Sequence, residues 1–122
     1  MDIANATAQM RKGILEFCIL SILSRNDAYA SDLIKELKSV DLIIVEGTLY
    51  PLLTRQKNYG LLSYRWEESL KGPPRKYYRL TDEGSMFLEK LDLSWEKLTE
   101  SVNEIRNASR DAINTDDLND TV

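Results

Sequence analysis

Between Glu46 and Thr81 the spacing of apolar residues changes period, and that change restricts the fold more than any other feature of the chain. Leu49, Leu52 and Leu53 recur at helical spacing over Gly47–Tyr59, with Pro51 near the start, where a missing N–H is best tolerated. Gly60 suits the left-handed backbone just past a helix end, and Leu61 packs back on the last turn. Leu62, Tyr64 and Trp66 then alternate with Ser63, Arg65 and Glu67, the pattern of a strand with one buried face. Ser69–Pro74 reads as a hairpin tip. In Arg75–Leu80 the alternation resumes, with Lys76, Tyr78 and Leu80 on one side and Arg75, Tyr77 and Arg79 on the other.

Helices precede and follow this unit. Met10 to about Arg25 is apolar around most of its circumference and is expected as one buried central helix. Asn26-Asp27 ends it with turn chemistry. A second helix, Tyr29–Ser39, buries Leu33, Ile34 and Leu37. Leu42-Ile43-Ile44-Val45 fits either a short buried strand or an extended connector. Thr81 is a good N-cap, with Asp82 and Glu83 favourable in the first turn of a final helix. Along that helix Leu88, Leu91, Trp95, Leu98, Val102 and Ile105 follow at alternating steps of three and four, a heptad seam. After Arg106 the pattern dissolves, and the acidic stretch 111–122 is expected as a disordered tail. The expected class is α+β, mostly helical: a winged helix-turn-helix over residues 1–81, a dimerisation helix over 82–110, and the tail.

Composition removes whole classes of chemistry. The chain has 122 residues, no histidine and one cysteine. An internal disulfide is impossible, and the usual His/Cys metal site lacks ligands. Acyl-transfer and thiol chemistry lack their usual base, and the five glycines are too scattered to cradle a phosphate. No enzyme, metal or cofactor is expected. Cys18 lies in the apolar run Ile14–Leu20 and reads as a small hydrophobe. That run is too short to span a bilayer and Glu16 interrupts it, while Met1–Gln9 lacks signal-peptide character, so a cytoplasmic location is expected.

The net charge of -4 conceals a strong asymmetry. Met1–Val45 carries 5 basic and 6 acidic residues, Glu46–Arg79 carries 7 basic and 3 acidic, and Leu80–Val122 carries 4 basic and 11 acidic. The basic surplus coincides with the third helix and the hairpin, which localises a polyanion-binding surface better than the overall charge does. In DNA-binding versions of this arrangement the third helix enters the major groove, its N-terminal residues meeting the bases. Its exposed candidates are Thr48, Tyr50, Thr54, Arg55 and Lys57. Thr48 and Tyr50 offer hydroxyls, and Arg55 pairs with guanine or clamps a phosphate. Lys71, Arg75 and Lys76 surround a stiff Gly-Pro-Pro tip suited to lie along the phosphate backbone. The rival reading is a winged-helix module that binds another protein through the same face. The charge map favours double-stranded DNA.

Tyr29-Ala30-Ser31-Asp32-Leu33-Ile34-Lys35-Glu36-Leu37, Glu46-Gly47-Thr48-Leu49-Tyr50-Pro51, Gly60-Leu61-Leu62 and Pro74-Arg75-Lys76-Tyr77-Tyr78-Arg79-Leu80-Thr81-Asp82-Glu83-Gly84 occur in this order. Together they resemble the PadR family of bacterial transcriptional regulators, over about Met10–Ile105. Ser31 and Tyr77, within these motifs, complete the expected DNA-facing set. The resemblance implies a dimeric repressor. The single helix after Gly84 is similar to the short-form branch, which includes multidrug-binding regulators. Gln56 stands where the family usually has an apolar residue, and Ala30 replaces a common glycine.

The seam of the last helix is too short for an isolated coiled coil. It is expected to pack on its counterpart and on the first helix of a partner chain, around Ile14 and Phe17, making an obligate homodimer. Trp95 reads first as dimer packing. In drug-binding short-form members a tryptophan at the matching position stacks on a flat ligand. The resemblance therefore implies a small planar aromatic, cationic ligand between two Trp95 indoles, with Asp92 and Glu96 supplying charge.

Overall fold

The computed structural model describes the backbone of residues 1–120 and side-chain environments for residues 1–115. The order is α1 (Ile3–Arg11), α2 (Ile14–Arg25), β1 (Ala28–Tyr29), α3 (Ala30–Ser39), α4 (Glu46–Asn58), β2 (Leu62–Ser69), β3 (Gly72–Leu80) and α5 (Asp82–Asp120). It is the mostly helical α+β winged helix-turn-helix with a C-terminal helix. Met1–Leu88 forms one compact unit and the chain from Glu89 a second.

The core of the first unit is built where helical stripes meet. Ile19 and Leu20 of α2, Leu33 and Leu37 of α3, and Leu49 and Leu53 of α4 are its largest fully buried side chains. Burying each one contributes roughly 1.5–3 kcal/mol of transfer free energy. The three-stranded antiparallel sheet, ordered β1-β3-β2, adds Ala28, Leu62 and Tyr78 to that core.

The single helix expected over Met10–Arg25 is two helices. Gly13 has φ +84°, in the left-handed region, and occupies the N-cap position of α2. Consequently α1 buries no residue, and Met10 is 75% exposed. The Leu42–Val45 segment is a connector, not a strand. Asp41 takes φ +62°, and the Leu42 N–H donates to the Leu37 carbonyl at 2.9 Å while the Asp41 N–H donates to Lys38, which closes α3. Ile44 alone of the segment is buried; Ile43 and Val45 are exposed.

The close of α4 follows expectation. Gly60 has φ +81°, its N–H donates to Lys57, and the Leu61 N–H reaches back to the Gln56 carbonyl at 3.0 Å. The hairpin departs from it. β2 runs on to Ser69, the turn is Leu70-Lys71, and Gly72, Pro73 and Pro74 belong to β3 rather than to the tip. Prolines are tolerated there because β1 pairs β3 only at Tyr77 and Tyr78, leaving that flank of β3 an open edge. The β2–β3 register shifts between Glu67 and Ser69.

Thr81 locks the hairpin to α5. Its N–H and hydroxyl both donate to the Leu61 carbonyl at 3.0 Å, the hydroxyl also reaches the Gly60 carbonyl at 2.7 Å, and it accepts from the Gly84 N–H at 2.9 Å. α5 continues past Arg106 as helix through Asp120, covering most of the stretch expected as an irregular tail; Thr121 and Val122 lie outside the described residues. Gly84 is where the helix comes closest to the α4–β2 corner: a Cβ there would sit 2.1 Å from the Leu61 carbonyl oxygen. At Gly60 an added Cβ meets only the flexible Glu83 carboxylate, at 2.9 Å. Gly84→Ala is therefore expected to cost about 3 kcal/mol, and Gly60→Ala about 1 kcal/mol from backbone strain. Urea unfolding of the two variants checks the order, and equal or reversed losses contradict this packing.

Candidate nucleic-acid interface

Burial of Leu49, Leu53 and Gln56 sets the rotation of α4 about its axis. At 3.6 residues per turn, Gly47, Pro51, Thr54 and Asn58 then lie opposite the core, and all four are exposed. Tyr50 and Lys57 fall on the flank toward the sheet, Thr48 and Arg55 on the flank toward α2. Pro51 is the sixth residue of α4 and has no N–H, so the Gly47 carbonyl receives no helical hydrogen bond from it. The outward face is thus narrow, smooth and uncharged, with basic residues at its edges.

Gln56 departs from the family pattern without leaving a polar group unsatisfied. It is only 5% exposed, and its Nε2 donates to the Glu16 Oε2 on α2. Arg55 Nη1 lies 3.8 Å from the other carboxylate oxygen of Glu16, and its guanidinium sits 5.6 Å from the centre of the Tyr59 ring. Arg55 is therefore not a free arm projecting from the helix.

The wing holds its cations on aromatic faces. The Arg75 guanidinium stacks 4.0 Å over Tyr29 and donates to the Ser31 hydroxyl at 2.6 Å. Tyr29 and Tyr77, cross-strand partners, have ring centres 4.7 Å apart. Arg65 stacks 4.6 Å over Tyr77 and is paired with Glu67 at 2.8 Å and Asp27 at 3.6 Å. On the opposite face of the sheet Lys76 lies 4.6 Å over Tyr64 and 5.5 Å over Trp66, and Lys57 reaches Tyr64 at 5.1 Å. Such contacts keep each charge at the surface while fixing where it points. Tyr78 underlies this face; burial, and secondarily Tyr50 and Tyr64, push its hydroxyl above the ordinary pKa of 10.0 and keep it a neutral donor.

Between wing and helices lies a cleft of about 550 Å³. It is lined by Ser31 at the start of α3, Glu46 and Tyr50 at the start of α4, and Trp66, Arg75 and Lys76 from the wing. Four of the expected residues, Ser31, Tyr50, Arg75 and Lys76, are thus brought together. Thr54 and Arg55 line a neighbouring shallow concavity with Pro51 and Asn58. Thr48 is exposed on α4, Lys57 and Tyr77 are engaged with the sheet, and Lys71 is exposed at the hairpin turn. Tyr29 and Glu46 were not anticipated as site residues. Trp66, expected on a buried face, is 61% exposed because β2 outruns the core. Its cross-strand partner is Lys76, a lysine at the register position where a covered strand would carry an apolar residue.

The seam residues of the second unit lie along one apolar stripe. Leu91 is half-buried, whereas Trp95, Leu98, Val102 and Ile105 are exposed, and Asp92 and Glu96 flank Trp95 in solvent. In the first unit Leu88, Ile14 and Phe17 are each half-buried. Cys18 is likewise half-buried, and burial pushes its thiol pKa up, which suits packing rather than reactivity. Among the described residues no cluster of acidic or cysteine side chains is arranged to hold a metal ion, and no helix is long and apolar enough to cross a membrane.

Residues 19–90 match the model of the transcriptional regulator PadR-like family. A PadR-like transcription factor structure from Bacteroides fragilis is 60% identical, with a TM-score of 0.72 over 83% of this chain and 98% of that one. A PadR family regulator structure from Eggerthella lenta is 36% identical, with a TM-score of 0.78 over 84% of this chain and 90% of that one. An uncharacterised Lysinibacillus sphaericus protein is 27% identical over 94 residues, 75% of this chain and 86% of that protein.

Proposed function

The chain belongs to the PadR-like family of transcriptional regulators, which are not enzymes, and from that premise we propose that it is a repressor that binds a pseudo-palindromic operator as a homodimer in the cytoplasm. The observation that carries the proposal is the convergence of Ser31, Tyr50, Arg75 and Lys76 on one cleft between the recognition helix and the wing. The Ser31 hydroxyl and two cations suit a phosphodiester strand passing through that cleft. The smooth face of Gly47, Pro51 and Thr54 lets α4 approach base edges closely, with Thr54 and Tyr50 as polar readers and the Thr54 methyl group available to a thymine methyl.

Lys71, Arg75 and Lys76 supply salt-dependent affinity, while Thr48, Tyr50 and Thr54 carry sequence discrimination. Tyr77 and Lys57 act through the sheet, holding Arg65 and Tyr64 in place. Fluorescence anisotropy across a salt series, with duplex from the gene's own upstream region and a scrambled competitor, tests these roles. Lys71→Ala and Arg75→Ala are expected to weaken binding to all duplexes and to flatten the salt slope by about 1 each; Tyr50→Ala is expected to lose preference for the specific duplex by about tenfold. Wing variants that bind as tightly as wild type at every salt concentration contradict the wing's role. Absence of binding to any duplex at low salt gives the lead to a protein-binding module.

The homodimer rests on the exposed stripe Trp95, Leu98, Val102 and Ile105, with Leu88, Leu91, Ile14 and Phe17 completing the interface. A stripe of this kind on a helix needs a second apolar face, and a second copy supplies an identical one. Sedimentation of wild type is expected to give a dimer, and Leu98→Asp to raise the dissociation constant at least about a hundredfold; a monomeric wild type sinks this part of the reading.

The interface also suits a planar aromatic cation between two Trp95 indoles, with Asp92 and Glu96 near its charge, and a ligand that fits one interprotomer spacing shifts operator affinity. In a Trp66→Phe variant Trp95 is the sole indole. Planar cationic compounds are expected to quench its fluorescence, and no quenching across a broad panel removes the ligand from the account.

A further inference from the structure

Glu16 is the only acidic residue of α2, and its side chain is 18% exposed. Both of its carboxylate oxygens are directed to α4. One accepts from the buried Gln56 amide, and the other lies 3.8 Å from the Arg55 guanidinium. The Gln56 donation anchors the carboxylate independently of Arg55, because Gln56 is itself buried and cannot swing away. Arg55 is 61% exposed and borders the open concavity of Tyr50, Pro51, Thr54 and Asn58. The same guanidinium is therefore within the DNA-facing surface and under the pull of an internal anion.

An arginine at the edge of a recognition helix that was free to move would neutralise any phosphate it met. That would raise affinity for every sequence and dilute discrimination. A cation already paired inside the protein must leave that pair first, so the pair subtracts from phosphate binding generally. We propose that Glu16 is a specificity-determining residue that restrains Arg55 and thereby holds down affinity for non-operator DNA; this rests on the DNA-binding reading above. Gln56 is the positioning residue for Glu16. The pairing also accounts for a polar residue at a position of α4 that otherwise faces the core.

A double-mutant cycle of Glu16→Gln and Arg55→Ala on random-sequence duplex, across a salt series, tests the claim. Glutamine keeps a carbonyl oxygen for Gln56, so α2 and α4 stay joined, and an unchanged thermal melt verifies that. Glu16→Gln is expected to tighten random-duplex binding about threefold, steepen the salt slope by about 1, and shrink the operator-to-random ratio. On the Arg55→Ala background the same substitution is expected to give less than about half of that gain. Equal gains on both backgrounds reduce the effect to the removal of one negative charge and overturn the proposal. A loss of affinity in Glu16→Gln overturns it too, since Glu16 would then support Arg55 rather than restrain it. The salt concentration that elutes each variant from immobilised heparin repeats the cycle without duplex recognition. A wild type that ignores every duplex, together with an Arg55-dependent shift on heparin, refutes the DNA reading and leaves the Glu16 restraint standing; no Arg55 dependence on heparin refutes the restraint.

Discussion

Leu49 and Leu53 are fully buried, and with Gln56 they leave α4 no freedom to rotate about its own axis. They pack within the α2–α3–α4 core that Ile19, Leu20, Leu33 and Leu37 complete. Rotating α4 by one residue would bring Tyr50 or Thr54 inward and carry a leucine into solvent, a loss of roughly 1.5–3 kcal/mol for each leucine exposed. Every property of the interface descends from that constraint. It puts the glycine, the proline and Thr54 outward, and it sends Tyr50 to the wing and Arg55 to Glu16. The Thr81–Leu61–Gly84 corner does for the hairpin what the leucines do for the helix, tying the root of the wing to the end of α4.

On this frame the electrostatics are organised by aromatic rings more than by ion pairs. Arg65, Arg75, Lys76 and Lys57 each lie over a tyrosine, so their stems are packed while their charges remain at the surface. A cation fixed in this way loses little rotamer freedom on meeting a phosphate, which is the entropic part of preorganisation. Arg65 and Arg55 differ from the other cations in also facing carboxylates of their own chain, Glu67 and Asp27 for the first and Glu16 for the second. The basic middle third of the sequence therefore contains cations in two different conditions, which the count of charges cannot separate.

Much of this architecture is legible in the residues themselves. The left-handed Gly60, the Thr81 cap and the leucine stripes of α3 and α4 follow from local rules of backbone and period, and the structure realises each of them. What escaped depends on distances that period does not encode. Gly13 lies inside the run expected as one helix over Met10–Arg25, and its backbone at φ +84° divides that run in two. Trp66 has the right alternation for a buried face, but burial ends where the core ends, and β2 continues beyond it. Pro73 and Pro74 look like a turn, yet an open sheet edge accommodates them as strand. The Glu16–Gln56 contact joins positions 40 residues apart, so nothing local announces it.

The central claim is that two copies of α4 enter successive major grooves while the wings follow the backbone. Methylation protection on a duplex that the protein itself selects from a random pool tests this most directly, because it reports guanine N7 in the major groove and adenine N3 in the minor groove. The account predicts two protected patches centred about 10 base pairs apart and related by dyad symmetry. A single patch, protection confined to the minor groove, or failure to enrich any sequence would contradict it.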